Sequence, residues 1–198
     1  MELGGNAPFI VFEDADMKTA LDLAIGVKFG NCGQICVAAN RFFVHENFYD
    51  DFLTSYVHRV KKLKLGFGID RDVDMGPLVN SQGQKRMMDI VSDAVAKGAK
   101  IETGGKVPKG FNKGYWFEPT VLSNVTSDML AYQKETFGPI APIFKFQTEE
   151  EALKLANDTE YGLASYLFTE DVERQARFAK ELQFGEVQIN GVKYAIYL

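Results

Sequence analysis

Two residues near the start of the chain have the types that covalent chemistry at a carbonyl carbon requires. Cys36 closes the glycine-containing run FGNCGQIC at 29–36, and Glu2 opens the run ELGG at 2–5. An ionised thiol attacks carbonyl carbons, and a carboxylate can activate the water that later releases the acyl group. The pair therefore indicates two-step acyl chemistry at an aldehyde or ester carbon. From the bare residues, a buried structural Cys36 and a surface Glu2 remain an open alternative.

Further segments occur in the same order as the motifs of one enzyme family. They read ELGGNAP at 2–8, GQIC at 33–36, the stretch 66–77, KETFGP at 134–139 and YGLA at 161–164. Several motifs in order are far more specific than any one of them. On these segments the chain resembles the aldehyde dehydrogenase superfamily, and the resemblance runs through nearly the whole sequence.

The resemblance implies a role for five residues. Cys36 would be the nucleophile that adds to the aldehyde carbon, and Glu2 the general base for hydrolysis of the resulting thioester. Glu135 would meet the ribose hydroxyls of NAD or NADP. Phe137 would contact the nicotinamide ring, and Gly4 would allow the backbone to approach that ring closely. Taken without the resemblance, Glu135 and Phe137 remain open to interpretation as an exposed acid and a core ring before the turn at 138–139.

The backbone around Cys36 is expected to favour its thiolate form. The turn at 33–34 would direct backbone amides toward the sulfur, and a helix beginning after Cys36 would present its positive end. The amide of Cys36 is also a natural donor to an oxyanion. Cys32 stands where the family motif has no chemical role, so we expect it to be a packing residue. A reversible disulfide between Cys32 and Cys36 remains the alternative.

The composition is that of an ordinary globular domain and argues against several classes of function. The 198 residues are 46% hydrophobic and 25% charged, which suffices for one well-packed domain. A net charge of −5 and a pI near 5.2 disfavour nucleic acid as a partner, because no basic surface is available to neutralise phosphates. No apolar stretch approaches the roughly 20 residues that cross a bilayer, so no membrane association is expected.

The cysteine and histidine content limits the redox setting and the metal chemistry. Two cysteines do not make a disulfide framework, which favours a reducing, cytoplasmic setting. His45 and His58 are the other soft ligands, and they lack the compact four-ligand spacing of a zinc site. No metal is therefore expected.

Short apolar runs alternate with longer amphipathic runs along the chain, and this alternation predicts an α/β fold with a mostly parallel sheet and helices on both faces. Asp16 and Ser81 are expected to cap the first and third helices. With no repeat or linker, residues 1–198 are predicted to form one domain, which by resemblance is the nucleophile-bearing catalytic domain. Strands are predicted at 8–12, 41–45, 100–103, 140–146, 164–168 and 186–189, extended segments at 115–117 and 119–122, and helices at 17–29, around 48–60, 82–97, 149–157 and 171–182.

Two parts of the family pattern are not found in this sequence. The family's cofactor-binding half precedes the ELGG motif, and no G-x-G-x-x-G or comparable phosphate-binding loop occurs here. The family also continues beyond Asn190 with a substrate segment and a strand that joins the oligomer. The resemblance therefore implies that the chain requires a missing cofactor-binding half as its partner, that the full-length enzyme is a homo-oligomer, and that this chain alone has little dehydrogenase turnover.

The substrate implied by the resemblance is an aldehyde, with succinate semialdehyde first and a small hydroxyaldehyde second. The segments 144–146 and 161–168 are similar to the succinate-semialdehyde dehydrogenase branch. Members of that branch that bind a carboxylated aldehyde tend to carry an arginine six positions before the nucleophile, where this chain has Gly30. Two functions of other classes stay open: a cofactor-independent thiol esterase that uses Cys36 and Glu2, and a non-catalytic subunit that pairs with intact subunits.

Overall fold

The computed structural model describes residues 3–192, which form seven strands and six helices. A 3-10 turn at Gly30–Gly33 follows the first helix. The strands are β1 Ala7–Val11, β2 Ala39–His45, β3 Lys100–Thr103, β4 Thr120–Ser123, β5 Ile140–Phe146, β6 Ala164–Phe168 and β7 Glu186–Ile189, and the helices are α1 Met17–Phe29, α2 Glu46–Val60, α3 Ser81–Ala96, α4 Leu130–Gln133, α5 Glu149–Asn157 and α6 Val172–Glu181.

All seven strands belong to one sheet in the order β3-β4-β5-β2-β1-β6-β7. Every neighbouring pair is parallel except β3 and β4, which are antiparallel. The central strands β1 and β2 are buried along their whole length, as strands covered on both faces are. The predicted α/β fold with a mostly parallel sheet is confirmed.

Two successive residues of β2 show that helices cover both faces of the sheet. The ring of Phe42 packs on Tyr56 of α2 with their centroids 5.5 Å apart. Arg41 points to the other face, where its guanidinium donates to the carbonyls of Leu155 and Ala156 in α5, each at 2.8 Å. Successive side chains of a strand leave opposite faces, so α2 and α5 lie on opposite sides.

Most helix boundaries follow from their capping residues. The Asp16 carboxylate accepts a hydrogen bond from the Thr19 amide at 2.7 Å, which confirms the predicted cap of α1. The predicted cap of the third helix is wrong, because Asn80, not Ser81, accepts from the amide of Gly83 at 2.9 Å. Asparagine and serine are both good capping residues. Asn80 is the cap because its backbone is extended, whereas Ser81 is already the first residue of the helix.

The bounds predicted for α1, β3, β5, α5, β6 and β7 are confirmed. Of the two predicted extended segments, 119–122 corresponds to β4, whereas 115–117 forms no named strand and contributes an isolated bridge from Tyr115 to Leu78. The four-residue helix α4 went unpredicted because it is too short to show a periodic pattern.

Two further properties apply to residues 3–192. None of their helices has the length and apolar character that crossing a bilayer requires. Within the same residues, no three histidine, cysteine or acidic side chains come together in a way that could hold a metal ion.

Candidate active site

The segments that the sequence singled out lie along one edge of the sheet. Residues 3–6, 34–38, 134–139 and 161–163 lead into β1, β2, β5 and β6. These strands are consecutive and parallel in the sheet, so their amino ends lie side by side. We call this side the amino edge. Ligands of open α/β sheets usually bind at the carboxyl ends of the strands, so the site lies opposite the usual position.

The loop before Cys36 has an unusual backbone. Asn31, Cys32 and Gly33 have φ angles of 48°, 59° and 70° in succession. Non-glycine residues rarely adopt this left-handed region. Only glycine fits at position 33, because a Cβ there would overlap the carbonyl oxygen of Gly138 in the turn before β5. The loop therefore crosses closely over that turn before it delivers Cys36, which is partly exposed.

The surroundings of Cys36 differ from expectation in one respect. No helix begins after it; residues 37 and 38 lead directly into β2. The Gln34 amide donates to the carbonyl of Asn31 at 3.1 Å, so that group is engaged within the loop. The predicted helix end beside the sulfur is thus wrong, because the alternation of strands and helices places a strand here.

Cys32 lies in a different environment from Cys36. Its side chain is buried, and burial raises the pKa of the Cys32 thiol to about 12, against an opposing effect of the Lys28 charge. A thiol with this pKa is protonated at neutral pH and is a poor nucleophile. Cys32 therefore packs in the interior beneath the loop.

Three motifs meet around the two glycines before β1. A Cβ at Gly5 would overlap the carbonyl oxygen of Cys36, so only glycine allows this approach. The Gly5 amide donates to Oε1 of Glu135 at 3.0 Å. A Cβ at Gly4 would lie 2.8 Å from Oε2 of Glu135 and 3.1 Å from the ring of Tyr161. The structure therefore brings Gly4, Cys36 and Glu135 together.

The remaining two residues predicted for the site differ in what the structure shows. Phe137 is partly exposed and has a φ of 47°, a strained conformation for an aromatic residue. It lies in the same turn as Glu135 and Gly138, over which the Cys36 loop crosses. Glu2 lies outside the described residues, so its role stays a prediction.

A buried chain of hydrogen bonds supports the site from below. The Lys28 ammonium donates to Oδ1 of Asn40 at 2.9 Å, and Nδ2 of Asn40 donates to the carbonyl of Gly5 at 3.1 Å. Lys28 and Asn40 are both buried. Burial lowers the pKa of Lys28 to about 7, while the nearby Cys32 and Glu135 act in the opposite direction. Through the Gly5 amide, which donates to Glu135, this series of hydrogen bonds extends to the Glu135 carboxylate.

A cavity of about 590 Å³ adjoins Glu135 on the side of α3. Its volume lies in the range of small-molecule sites. It carries three cationic side chains and two acidic ones, and two of the cations are paired, Lys85 with Asp89 and Lys134 with Glu160. Its lining residues are Gln82, Lys85, Arg86, Asp89, Ile90, Leu130, Lys134, Glu135 and Tyr161.

Sequence reasoning assigned no side-chain role to three residues that support the site, Gln34, Lys28 and Asn40. Gln34 belongs to the GQIC motif, which gave a signal, but only the structure shows that its side chain reaches a second loop. Lys28 stands between Val27 and Phe29, and a charged residue between two buried apolar ones was the available sign. Nothing in the sequence indicated its pairing with Asn40.

The comparisons with known proteins agree with this geometry. A family model described as "Aldehyde dehydrogenase family" matches residues 1–196. Over 190 residues the chain is 49% identical to a Schizosaccharomyces pombe protein named as an NADP(+) succinate-semialdehyde dehydrogenase, covering 96% of this chain and 38% of that protein. It is 45% identical to a Pseudomonas aeruginosa glutarate-semialdehyde dehydrogenase, covering 96% and 39%.

Solved structures give the same result for the fold. The crystal structure of a succinate-semialdehyde dehydrogenase from Burkholderia pseudomallei superposes with a TM-score of 0.95 at 49% identity, covering 98% of this chain and 40% of that one. The chain therefore spans about two fifths of the length of these relatives.

Proposed function

Because the chain belongs to the aldehyde dehydrogenase family, we propose that it carries out the covalent step by which an aldehyde is oxidised to a carboxylic acid. The observation that carries the proposal is the meeting of Gly5, Cys36 and Glu135 at the amino edge. There the backbone carbonyl of the partly exposed Cys36 lies against Gly5, and the Gly5 amide donates to the Glu135 carboxylate, which borders a cavity.

Cys36 performs the bond-making step in this proposal. Its thiolate adds to the aldehyde carbon, and the carbonyl oxygen becomes an alkoxide that the Cys36 backbone amide can stabilise. A bound nicotinamide dinucleotide, NAD or NADP, supplies the acceptor for the hydride that leaves this carbon. Cys36 then holds the acyl group as a thioester. Glu2 takes a proton from water as the water attacks the thioester carbon, and the Cys36 thiolate leaves as the acid is released.

The residues at the amino edge fit such a cofactor. Glycine at position 4 keeps the space beside Glu135 and Tyr161 free of a side chain, since a Cβ there would lie 2.8 Å from the Glu135 carboxylate and 3.1 Å from the Tyr161 ring. The carboxylate of Glu135 can accept hydrogen bonds from ribose hydroxyls. Arg86 and Lys134 line the same cavity and suit the negative charge of the phosphates. Phe137, in the same turn, is assigned to the nicotinamide ring.

The domain assignment and the partners belong to the same proposal. Residues 1–198 would form the nucleophile-bearing domain, acting with a cofactor-binding half in a homo-oligomeric enzyme. Support comes from the share of the relatives' length that the chain covers, about two fifths. A reducing, cytoplasmic setting stays a prediction.

A semialdehyde is the substrate class that we propose first. The relatives from S. pombe and P. aeruginosa are named for succinate and glutarate semialdehyde, aldehydes that carry a carboxylate. Gly30 leaves the position of the expected carboxylate-binding arginine without a charge. The small hydroxyaldehyde therefore remains the alternative that the experiment distinguishes.

The test is formation of NAD(P)H under reducing conditions with succinate semialdehyde, glyceraldehyde and propanal. The chain is assayed alone and with the separately produced cofactor-binding half of a close relative. We expect no turnover alone and turnover with the added half, abolished by Cys36→Ala and retained in the control Cys32→Ala. Turnover that survives Cys36→Ala contradicts the proposal. Equal activity toward succinate semialdehyde and propanal removes the semialdehyde assignment.

A further inference from the structure

The loop that delivers Cys36 requires support from outside itself. Asn31 and Cys32 adopt left-handed backbone conformations, each of which costs about 1–2 kcal/mol relative to ordinary conformations. Such conformations persist where surrounding contacts over-determine them. The contacts that hold this loop therefore also decide where the thiol of Cys36 lies.

The chain after Cys36 is held by packing against β1 and β6. The carbonyl of Cys36 itself lies against Gly5. The Val37 carbonyl accepts a hydrogen bond from the Tyr166 hydroxyl at 2.7 Å. The Ala38 amide donates to the carbonyl of Ile35 at 2.9 Å. These contacts fix one side of the nucleophile.

On the side before Cys36, the carboxamide of Gln34 connects two separate loops. Its Nε2 donates to the carbonyl of Asn31 at 3.1 Å and, in a longer contact of 3.5 Å, to that of Pro77. Its Oε1 accepts from the amide of Val79 at 2.9 Å. The side chain of Asn31 in turn donates to the carbonyl of Gln34 at 3.0 Å. One side chain therefore ties the left-handed turn to residues 77–79.

We propose that Gln34 is a positioning residue for the reaction at Cys36, holding the nucleophile loop against the segment 77–79. The inference rests on the proposed function, because it concerns the same thiol. A carboxamide suits this task because it is a donor and an acceptor at once. A methionine has nearly the same shape and provides neither group.

The hydrogen bonds of the Gln34 carboxamide contribute more to the position of Cys36 than to the stability of the fold. The bond to Val79 is solvent-exposed, so water can replace it when the carboxamide is removed. We therefore expect Gln34→Met to change the global melting temperature little. The effect should appear in reactions that depend on the placement of Sγ, since small misplacements cost large factors in rate.

Two reagents separate placement from simple reactivity. In acylation by p-nitrophenyl acetate, Cys36 Sγ forms a bond to the carbonyl carbon, the ester C–O bond breaks and p-nitrophenolate leaves. This reaction passes through an oxyanion and requires the donors around it. Alkylation by iodoacetamide has no oxyanion and reports mainly that the thiolate is accessible. The ratio of the two rates is the positioning readout.

The experiment compares the unmodified chain, Gln34→Met, Gln34→Ala and the control Gln175→Met. Gln175 also donates its side-chain amide to a carbonyl, that of Thr169 at 2.8 Å, but beyond the carboxyl end of β6. We expect both Gln34 variants to lower the acylation rate by about tenfold or more, with alkylation at Cys36 changed by less than about threefold. The Gln175 variant should match the unmodified chain in both rates.

Each other outcome has a definite meaning. An acylation rate unchanged in both Gln34 variants overturns the positioning role and leaves the proposed function intact. If both Gln34 variants lower the acylation and alkylation rates by the same factor and also lower the melting temperature, Gln34 is merely structural, and the positioning role is overturned as well. If the unmodified chain gives no p-nitrophenol burst, or one that survives Cys36→Ala, the proposed function itself fails and this role fails with it.

Discussion

The Lys28 ammonium is buried against a neutral partner, the carboxamide of Asn40, with Nζ and Oδ1 2.9 Å apart. A buried ammonium bonded to a carboxylate would stay charged at neutral pH, because the opposite charge favours the ionised form. A carboxamide supplies no such charge, and burial lowers the pKa of Lys28 to about 7. The pair thus links folding to pH directly beneath the nucleophile loop.

The stability of the chain should rise between pH 7 and pH 9 because of Lys28. Its pKa falls from 10.5 in the unfolded chain to about 7 in the folded one, so over this range the unfolded chain binds the extra proton. Raising the pH therefore favours folding, by roughly 2 kcal/mol over the two units. Urea unfolding at several pH values measures it, and in Lys28→Met this component of the rise should disappear.

Above pH 9 an opposing effect appears. Burial raises the pKa of Cys32 from 9.0 to about 12, so the unfolded chain loses that proton first, which offsets the further gain from Lys28. Above pH 10.5, where Lys28 is neutral in both states, the Cys32 effect alone remains and stability falls. Lys18→Met is the matched control, because Lys18 forms an exposed ion pair with Asp22. A pH dependence identical in Lys28→Met and the unmodified chain would show that Lys28 does not titrate in this range.

Gly5→Ala should disable Cys36 more than it destabilises the fold. The added Cβ would overlap the carbonyl oxygen of Cys36, so either β1 or the nucleophile loop must shift. We expect acylation of Cys36 to fall by about 100-fold, the loss typical of a misplacement near 1 Å. Gly26→Ala is the control, since nothing lies within 4 Å of its added Cβ and alanine favours the helix. Acylation retained in Gly5→Ala contradicts the close approach.

Arg41→Met should destabilise the chain by at least about 3 kcal/mol, measured by urea unfolding. The buried guanidinium donates to the carbonyls of Asn6, Leu155, Ala156 and Asp158, and hydrogen bonds to a charged group contribute about 1.5–3 kcal/mol each. Arg59→Met provides the comparison, because Arg59 pairs with Asp22 at the surface and should cost about 1 kcal/mol or less. Equal losses in the two variants would be contrary to this account.

The two cysteines should differ sharply in native alkylation at pH 8. With a pKa of about 12, Cys32 is ionised to an extent on the order of one in ten thousand at this pH, and it is enclosed. Iodoacetamide should therefore label Cys36 alone in the folded chain and both residues in urea, as peptide mapping would show. Native labelling of Cys32 at a comparable rate would mean that the interior beneath the loop opens readily.

The sequence predicted the elements well where one periodic pattern governs a segment. β5 and α5 have the predicted bounds because the apolar run of β5 ends clearly before the amphipathic run of α5 begins. The cap at Asn80 was missed, and a helix was wrongly expected directly after Cys36, because neighbouring residues offered equally good local signals. Tertiary packing decided between them.

The candidate site was predictable only in part. The motifs named Cys36, Glu135 and Gly4, and the structure brings these three together. Their place at the amino edge could not be derived from local pattern, since parallel sheets usually bind ligands at the other end. The carboxamide of Gln34 and the pairing of Lys28 with Asn40 are contacts between distant segments, which periodicity does not report.

The location of the reacting groups at the amino edge has a practical consequence for handling the protein. β1 has five residues, so its two ends are separated by about 16 Å. The loop between β6 and α6 leaves from the far end. A fluorophore or a surface tether attached in that loop would stand behind the sheet, with Cys36 facing the solution and open to substrate.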